Sequence, residues 1–180
     1  MWKMSGLKCA FTGLCFALLS FFSRPASAGQ EEWVFSVVPQ GSMLRGWQST
    51  HWGGGLALGL EYGFTDSWGI KGTLSYDILT GTGEEPDLLS VALGGVHAVY
   101  TVDILQIIPY LQAGAEGAVI GGGSQDWNAF FGVRLGAGMD YLLTRDWSLG
   151  LDIGYHLFIP DTKNLPAMVT VGFRIGRRWY

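Results

Sequence analysis

Eight stretches in which apolar residues alternate with small or polar ones, 28 glycines in 180 residues, and a charged fraction of only 14% predict an all-β chain. The architecture they predict is an eight-stranded antiparallel up-and-down transmembrane β-barrel. A mean hydropathy of +0.25 points to lipid contact, yet beyond the N-terminus no run approaches the ~18 apolar residues of a membrane helix. The formal net charge of −4 argues against nucleic acid as a partner, because neutralising phosphates takes clustered Lys and Arg.

The N-terminus reads as an export signal. Lys3 and Lys8 give a positive start, Cys9 to Phe22 form a short apolar run, and Ala26-Ser27-Ala28 offers small residues to a signal peptidase. Cleavage is expected after Ala28, so residues 1–28 form the signal peptide and 29–180 the barrel. Both cysteines, Cys9 and Cys15, fall in the signal, leaving the remainder without thiols, disulfides or a cysteine metal site. Export followed by strands places the chain in the envelope of a Gram-negative bacterium.

The strands follow in order. Trp33 to Pro39 sets Trp33, Phe35 and Val37 on one face against Ser36. Gly55 to Phe64 opposes Leu56, Leu58, Leu60, Tyr62 and Phe64 to glycines, Ala57 and Glu61. In Trp68 to Leu79, Trp68, Ile70, Leu74, Tyr76 and Ile78 face away from Lys71, Ser75 and Asp77. Leu89 to Val102 alternates if a bulge at Gly94-Gly95 resets its phase. Ile108 to Ile120 sets Leu111, Ala113, Ala115 and Val119 against Gln112, Gly114 and Glu116, with Pro109 placed at the strand end. Trp127 to Leu143, Trp147 to Ile159 and Ala167 to Trp179 repeat the pattern, with Arg134, Asp140, Asp152, His156 and Arg174 on their small-residue faces. No segment follows the 3.6-residue period, and each supplies the ~9–11 residues a tilted strand needs to cross a bilayer.

The connections alternate in length. Thr65-Asp66-Ser67 and Thr144-Arg145-Asp146 are short and Asp103 to Ile107 is intermediate, whereas Gln40–Gly54, Thr80–Asp87, Gly121–Asp126 and Pro160–Pro166 read as longer loops. Short turns on one rim and long loops on the other characterise outer-membrane barrels, the short side being periplasmic.

Volume decides which face is outside. A soluble barrel would pack many Leu, Trp, Phe and Tyr into a lumen that eight strands leave barely wide enough for side chains. In the membrane arrangement those residues meet lipid and the small ones fill the interior. Trp33, Tyr62, Phe64, Trp68, Tyr100, Tyr141, Trp147 and Trp179 fall on the apolar face near the short turns and make one aromatic girdle. Tyr76 and Trp127 suggest part of a second.

The segments Glu61-Tyr62-Gly63-Phe64-Thr65-Asp66-Ser67-Trp68-Gly69-Ile70-Lys71-Gly72 and Val171-Gly172-Phe173-Arg174-Ile175-Gly176 carry a resemblance. With the rest of residues 29–180, the chain resembles the small eight-stranded outer-membrane barrels of the OmpA, OmpX and OmpW kind. The resemblance implies periplasmic termini, contact with outer-membrane lipid and lipopolysaccharide, insertion by the barrel-assembly machinery, and no cofactor. It departs at the C-terminus, where strand phase gives the lipid-facing aromatic role to Trp179 and leaves Tyr180 off-phase.

Glu61, Lys71, Asp77, Glu116, Arg134, Asp140, Asp152 and Arg174 collect on the inward face as a lumenal charge network. Register arithmetic sets Glu61 opposite Lys71 and, by pairing Ile159 with Ala167, Asp152 opposite Arg174. Arg134 reaches diagonally toward Glu116 and Asp152. Such charges must be paired to be tolerated, so the expectation is an ion-paired interior that fixes register and carries no large conductance.

Catalysis and metal binding find little support. Lipid A deacylases carry His-x-Ser in a late strand, where this chain reads His156-Leu157-Phe158. His51, His97 and His156 lie on separate elements without zinc-type spacing. Met43, Trp47, His51 and Trp52 make the Gln40–Gly54 loop the candidate contact surface for an extracellular ligand. The expected role is structural or interactive. The alternatives are an OmpW-like conduit for small apolar molecules and, third, a lipid A-modifying enzyme.

Overall fold

A computed structural model describes residues 32–46, 49–81, 88–102, 106–122, 125–159 and 166–179. The signal-peptide expectation for residues 1–28 and the contact residue Trp47 lie outside them. The strands are β1 (Glu32–Gly46), β2 (Ser49–Gly63), β3 (Trp68–Gly81), β4 (Leu88–Thr101), β5 (Ile107–Gly122), β6 (Gln125–Leu142), β7 (Trp147–Ile159) and β8 (Ala167–Trp179). Each pairs antiparallel with its neighbours, and β8 returns to β1 to close the barrel. Closure matters because an open edge in lipid would leave backbone groups without partners.

Register sets the shape. Paired residues followed around the wall run from Phe35 through Leu60, Gly72, Val96, Ala115, Val133, Leu157 and Ala167 back to Arg45 on β1. That offset of ten residues across eight strands gives a tilt of about 40° and a lumen only wide enough for side chains. Outward positions are apolar or small, and the two charged side chains among them, Arg177 and Arg45, stand at opposite rims.

The two short turns close in the same way. Phe64 and Thr65 donate backbone N–H groups to the Trp68 carbonyl, as Leu143 and Thr144 do to that of Trp147. Thr65 Oγ1 accepts from the Trp68 N–H at 2.8 Å, and Thr144 Oγ1 from the Trp147 N–H at 3.1 Å. A threonine at the head of the turn thus satisfies amides that the ladder cannot reach.

Three features differ from the sequence expectation. First, strands occupy most of two of the four expected long loops, Gln40–Gly54 and Gly121–Asp126: β1 continues to Gly46, β2 begins at Ser49, β5 reaches Gly122 and β6 begins at Gln125. Glycine-rich composition looked like loop but serves close strand approach; at Gly53 a Cβ would lie 2.8 Å from Leu79 Cα. Second, β4 pairs with both neighbours without interruption at Gly94-Gly95. The expected bulge rested on turning Leu89, Val91 and Leu93 outward, and all three point inward and are buried. The irregularity instead falls in the β5–β6 pairing between Ile120 and Gly122, where Gly122 takes a φ of 119° that a side chain would disfavour. Third, Ala167 pairs with Leu157 rather than Ile159. Asp152 therefore faces Gly172, and Arg174 faces Gly150.

Candidate functional site

The lumen holds every residue of the expected charge network. Glu61, Lys71, Asp77, Glu116, Arg134, Asp140, Asp152 and Arg174 are all buried there. Alternation brings them inside, and closure of the cylinder then joins residues that lie far apart in the chain. Nearest the short turns, Arg174 bonds Glu61 at 3.0 Å and Asp140 at 3.1 Å. Arg178, absent from the expected set, bridges Glu32 at 3.1 Å and Asp140 at 3.8 Å.

The next layer centres on Asp152. Arg134 donates to it, Tyr110 Oη donates at 2.7 Å, Gln112 Nε2 donates at 2.9 Å, and Lys71 Nζ lies 3.8 Å away. Lys71 and Arg174 both sit over the Tyr110 ring, 5.6 Å and 5.0 Å from its centroid. Glu61 does pair in register with Lys71, but its ionic partner is Arg174. Sequence reasoning missed Tyr110 and Gln112 as network members, although both fall on the inward phase of β5.

Higher in the barrel, His156 Nδ1 bonds both Glu116 oxygens, at 2.8 and 2.9 Å, and its Nε2 lies 3.2 Å from Thr170 Oγ1. The expected Arg134–Glu116 contact is replaced by this histidine. On the opposite wall Asp77 accepts from Ser42 Oγ and, at 3.0 Å, from Gln40 Nε2. Both donors belong to the segment expected to be loop.

Above these polar layers the lumen changes character. Leu44, Leu79, Leu89, Val91, Leu93, Ala118, Ile120, Phe158 and Met168 form one buried apolar cluster, with Phe130 packed against it. An interior filled by charges alone is therefore corrected: ions occupy the short-turn part and hydrocarbon side chains the long-loop end.

Outside, the eight expected girdle residues Trp33, Tyr62, Phe64, Trp68, Tyr100, Tyr141, Trp147 and Trp179 all lie at the short-turn end of the wall. Trp33 packs on Tyr62 with ring centroids 4.8 Å apart, and Trp68 on Tyr100 at 5.0 Å. At the other end Met43 and Trp52 are register partners in the β1–β2 hairpin, with Trp52 exposed and His51 directed inward beside Leu44. Three of the candidate contact residues, Met43, His51 and Trp52, thus sit on strands rather than on a loop.

The model of the outer membrane protein beta-barrel domain family matches residues 14–175. Among solved structures, Neisserial surface protein A superposes with a TM-score of 0.63 at 16% identity, over 87% of this chain and 99% of that one. Ail, the attachment invasion locus protein of Yersinia pestis, gives 0.58 at 17% identity over 84% and 100%. OprG of Pseudomonas aeruginosa gives 0.54 at 11% identity over 84% and 97%. These identities establish likeness of fold. A comparison with curated proteins finds no matching sequence. Matched along most of its length and closed by eight antiparallel strands, the chain belongs to the outer membrane protein β-barrel family, and its place is the outer membrane.

Proposed function

We propose that the protein is a closed, non-enzymatic barrel that supports the envelope and presents its long-loop rim for surface contacts. In this reading residues 1–28 are removed on export, the termini and short turns are periplasmic, and lipid and lipopolysaccharide surround the wall. The observation that carries it is the filled lumen, with buried ion pairs in one part and a continuous apolar cluster in the other. Purified protein in planar bilayers should show no stable, large channels; frequent large openings would refute the closed state.

Ail has been crystallised in complex with the heparin analogue sucrose octasulfate. The described rim of this chain offers a different chemistry. Arg45 is the one Lys or Arg there among the described residues, while Trp52, Leu88 and Trp127 are exposed. That composition suits an apolar or aromatic contact better than a polyanion. A Trp52→Ser/Trp127→Ser variant that folds normally should lose surface binding, and unchanged binding would remove this rim from the proposal.

The Glu116–His156–Thr170 arrangement has the connectivity of a nucleophile activated by a base and an acid. All three residues are buried beneath Phe158 and Met168, a position that suits a satisfied polar network rather than a site reached by lipid. Acyl release from lipid A that His156→Ala abolishes would overturn this reading. The conduit reading has less support, because every strand pairs with both neighbours and the sheet closes, the β1–β8 ladder skipping only Val38 and Pro39.

A further inference from the structure

Two kinds of lining divide the lumen, and they treat water differently. From Arg178 up to His156 and Asp77 the inner wall carries ions, amides and hydroxyls; apolar residues there, such as Val34, Val99 and Ile108, stand beside charged ones. Several of its buried polar atoms have no hydrogen-bond partner among the described residues: Ser36 Oγ, both ring nitrogens of His97, Arg134 Nε and Ser148 Oγ. Atoms of this kind favour water, since leaving them dry costs a full desolvation penalty.

The apolar cluster offers water nothing. Leu44, Leu79, Val91, Phe158 and Met168 come from five different strands, are at most 1% exposed and pack into one cluster inside the lumen, where His51 of β2 is the polar neighbour beside Leu44. On β7, Phe158 stands eleven residues from the girdle residue Trp147, roughly 25–30 Å along the barrel axis at this tilt. The cluster thus lies level with the far edge of a ~25 Å apolar band. A narrow hydrophobic constriction excludes ions because they would have to shed their hydration to pass.

We propose that this apolar layer is the barrier to ions and water in the barrel, and that the polar section beneath it is a latent ion path. The charge network fixes strand register and holds the wall together; packed as closely as the layer above it, it differs in offering water hydrogen-bonding groups along its height. Among the described residues this layer is the seal, and a perturbation that wets it opens the barrel. This inference rests on the closed barrel proposed above, and the experiment separates the two.

The test measures ion flux from vesicles reconstituted with full-length protein, Leu79→Asn/Met168→Gln, or Lys71→Met/Asp152→Asn. The first variant replaces apolar side chains by polar ones of near-equal size, and the second neutralises a cation and an anion of the polar section. The expected result is a tight wild type, flux raised by at least about tenfold in the wetted variant, and no change in the neutralised one. A leaky wild type would refute the closed barrel itself. A tight wild type with a folded but equally tight wetted variant, or with a leaky neutralised variant, would overturn the seal. Should the wetted variant fail to fold, thiol labelling of Thr170→Cys, with Cys9 and Cys15 replaced by serine, decides the matter. Thr170 lies below the layer, so a charged reagent supplied from the long-loop side should not reach it, and rapid labelling would contradict the seal.

Discussion

Arg174 is the cation on which the short-turn half of the lumen turns. Its guanidinium binds Glu61 at 3.0 Å and Asp140 at 3.1 Å, and all three side chains are buried. Among the described residues Glu61 has no other cation within ion-pair distance, whereas Asp140 keeps Arg178 at 3.8 Å. Arg174→Met leaves the aliphatic volume in place and strands one carboxylate completely. Removing one partner of a buried pair costs about 3–5 kcal/mol, because the other charge is left without compensation. With a second carboxylate weakened as well, the upper part of that range is expected. This is a large share of the ~5–15 kcal/mol that holds a domain folded. Adding Glu61→Gln and Asp140→Asn should recover most of that loss, since the stranded carboxylate and the weakened one are then both neutral. Urea unfolding in lipid vesicles, followed by tryptophan fluorescence, measures both variants. A loss below about 1 kcal/mol, the value of a solvated surface pair, would mean the network is not buried. A triple variant as weak as the single one would assign the loss to packing.

Other consequences are equally specific. At Gly154 a Cβ would lie 2.6 Å from Thr170 Oγ1, 2.9 Å from His156 Nε2 and 3.0 Å from Arg134 Nε, so Gly154→Ala should destabilise by about 1–3 kcal/mol in the same titration. Gly72→Ala, on the outer face with its nearest atom at 3.9 Å, should be close to neutral. Thr65→Ala and Thr144→Ala each remove a side-chain acceptor from a turn amide and should each lower stability by about 0.5–1.5 kcal/mol. Leu74→Arg, outward and six residues along β3 from the girdle residue Trp68, should cost about 2–4 kcal/mol if it faces the middle of a bilayer.

The eight strands were legible because a period of two is a local property, and a lumen of fixed width forces bulky residues to one side of every strand. The aromatic residues beside the short turns were legible for the same reason. What failed was the rule that apolar means outward. It holds where the inner wall is ionic and fails at the long-loop end, where Leu89, Val91 and Leu93 close the lumen. Following it there demanded a bulge that β4 does not have. Strand ends were obscured by Gly53-Gly54 and Gly121-Gly122, whose composition suggests loop but whose backbones pair. The β7–β8 register was misjudged by two residues, which keeps each side chain on the correct face and changes only its partners. Cross-lumen contacts such as Arg174 with Glu61, separated by 113 residues, follow from closure and stagger, which no local pattern encodes.

Sidedness is the claim on which the rest depends, and β3 offers adjacent positions that report it. Spin labels placed singly at Leu74 and at Ser75, in protein reconstituted into phospholipid vesicles, can be relaxed by oxygen, which concentrates in lipid, or by a water-soluble nickel complex. Leu74 is 67% exposed on the outer wall and Ser75 points into the lumen. The label at Leu74 should relax strongly with oxygen and weakly with nickel, and the label at Ser75 should be motionally restricted and shielded from oxygen. The reverse pattern, with Ser75 meeting lipid and Leu74 enclosed, would contradict a barrel that turns its large apolar side chains toward the membrane.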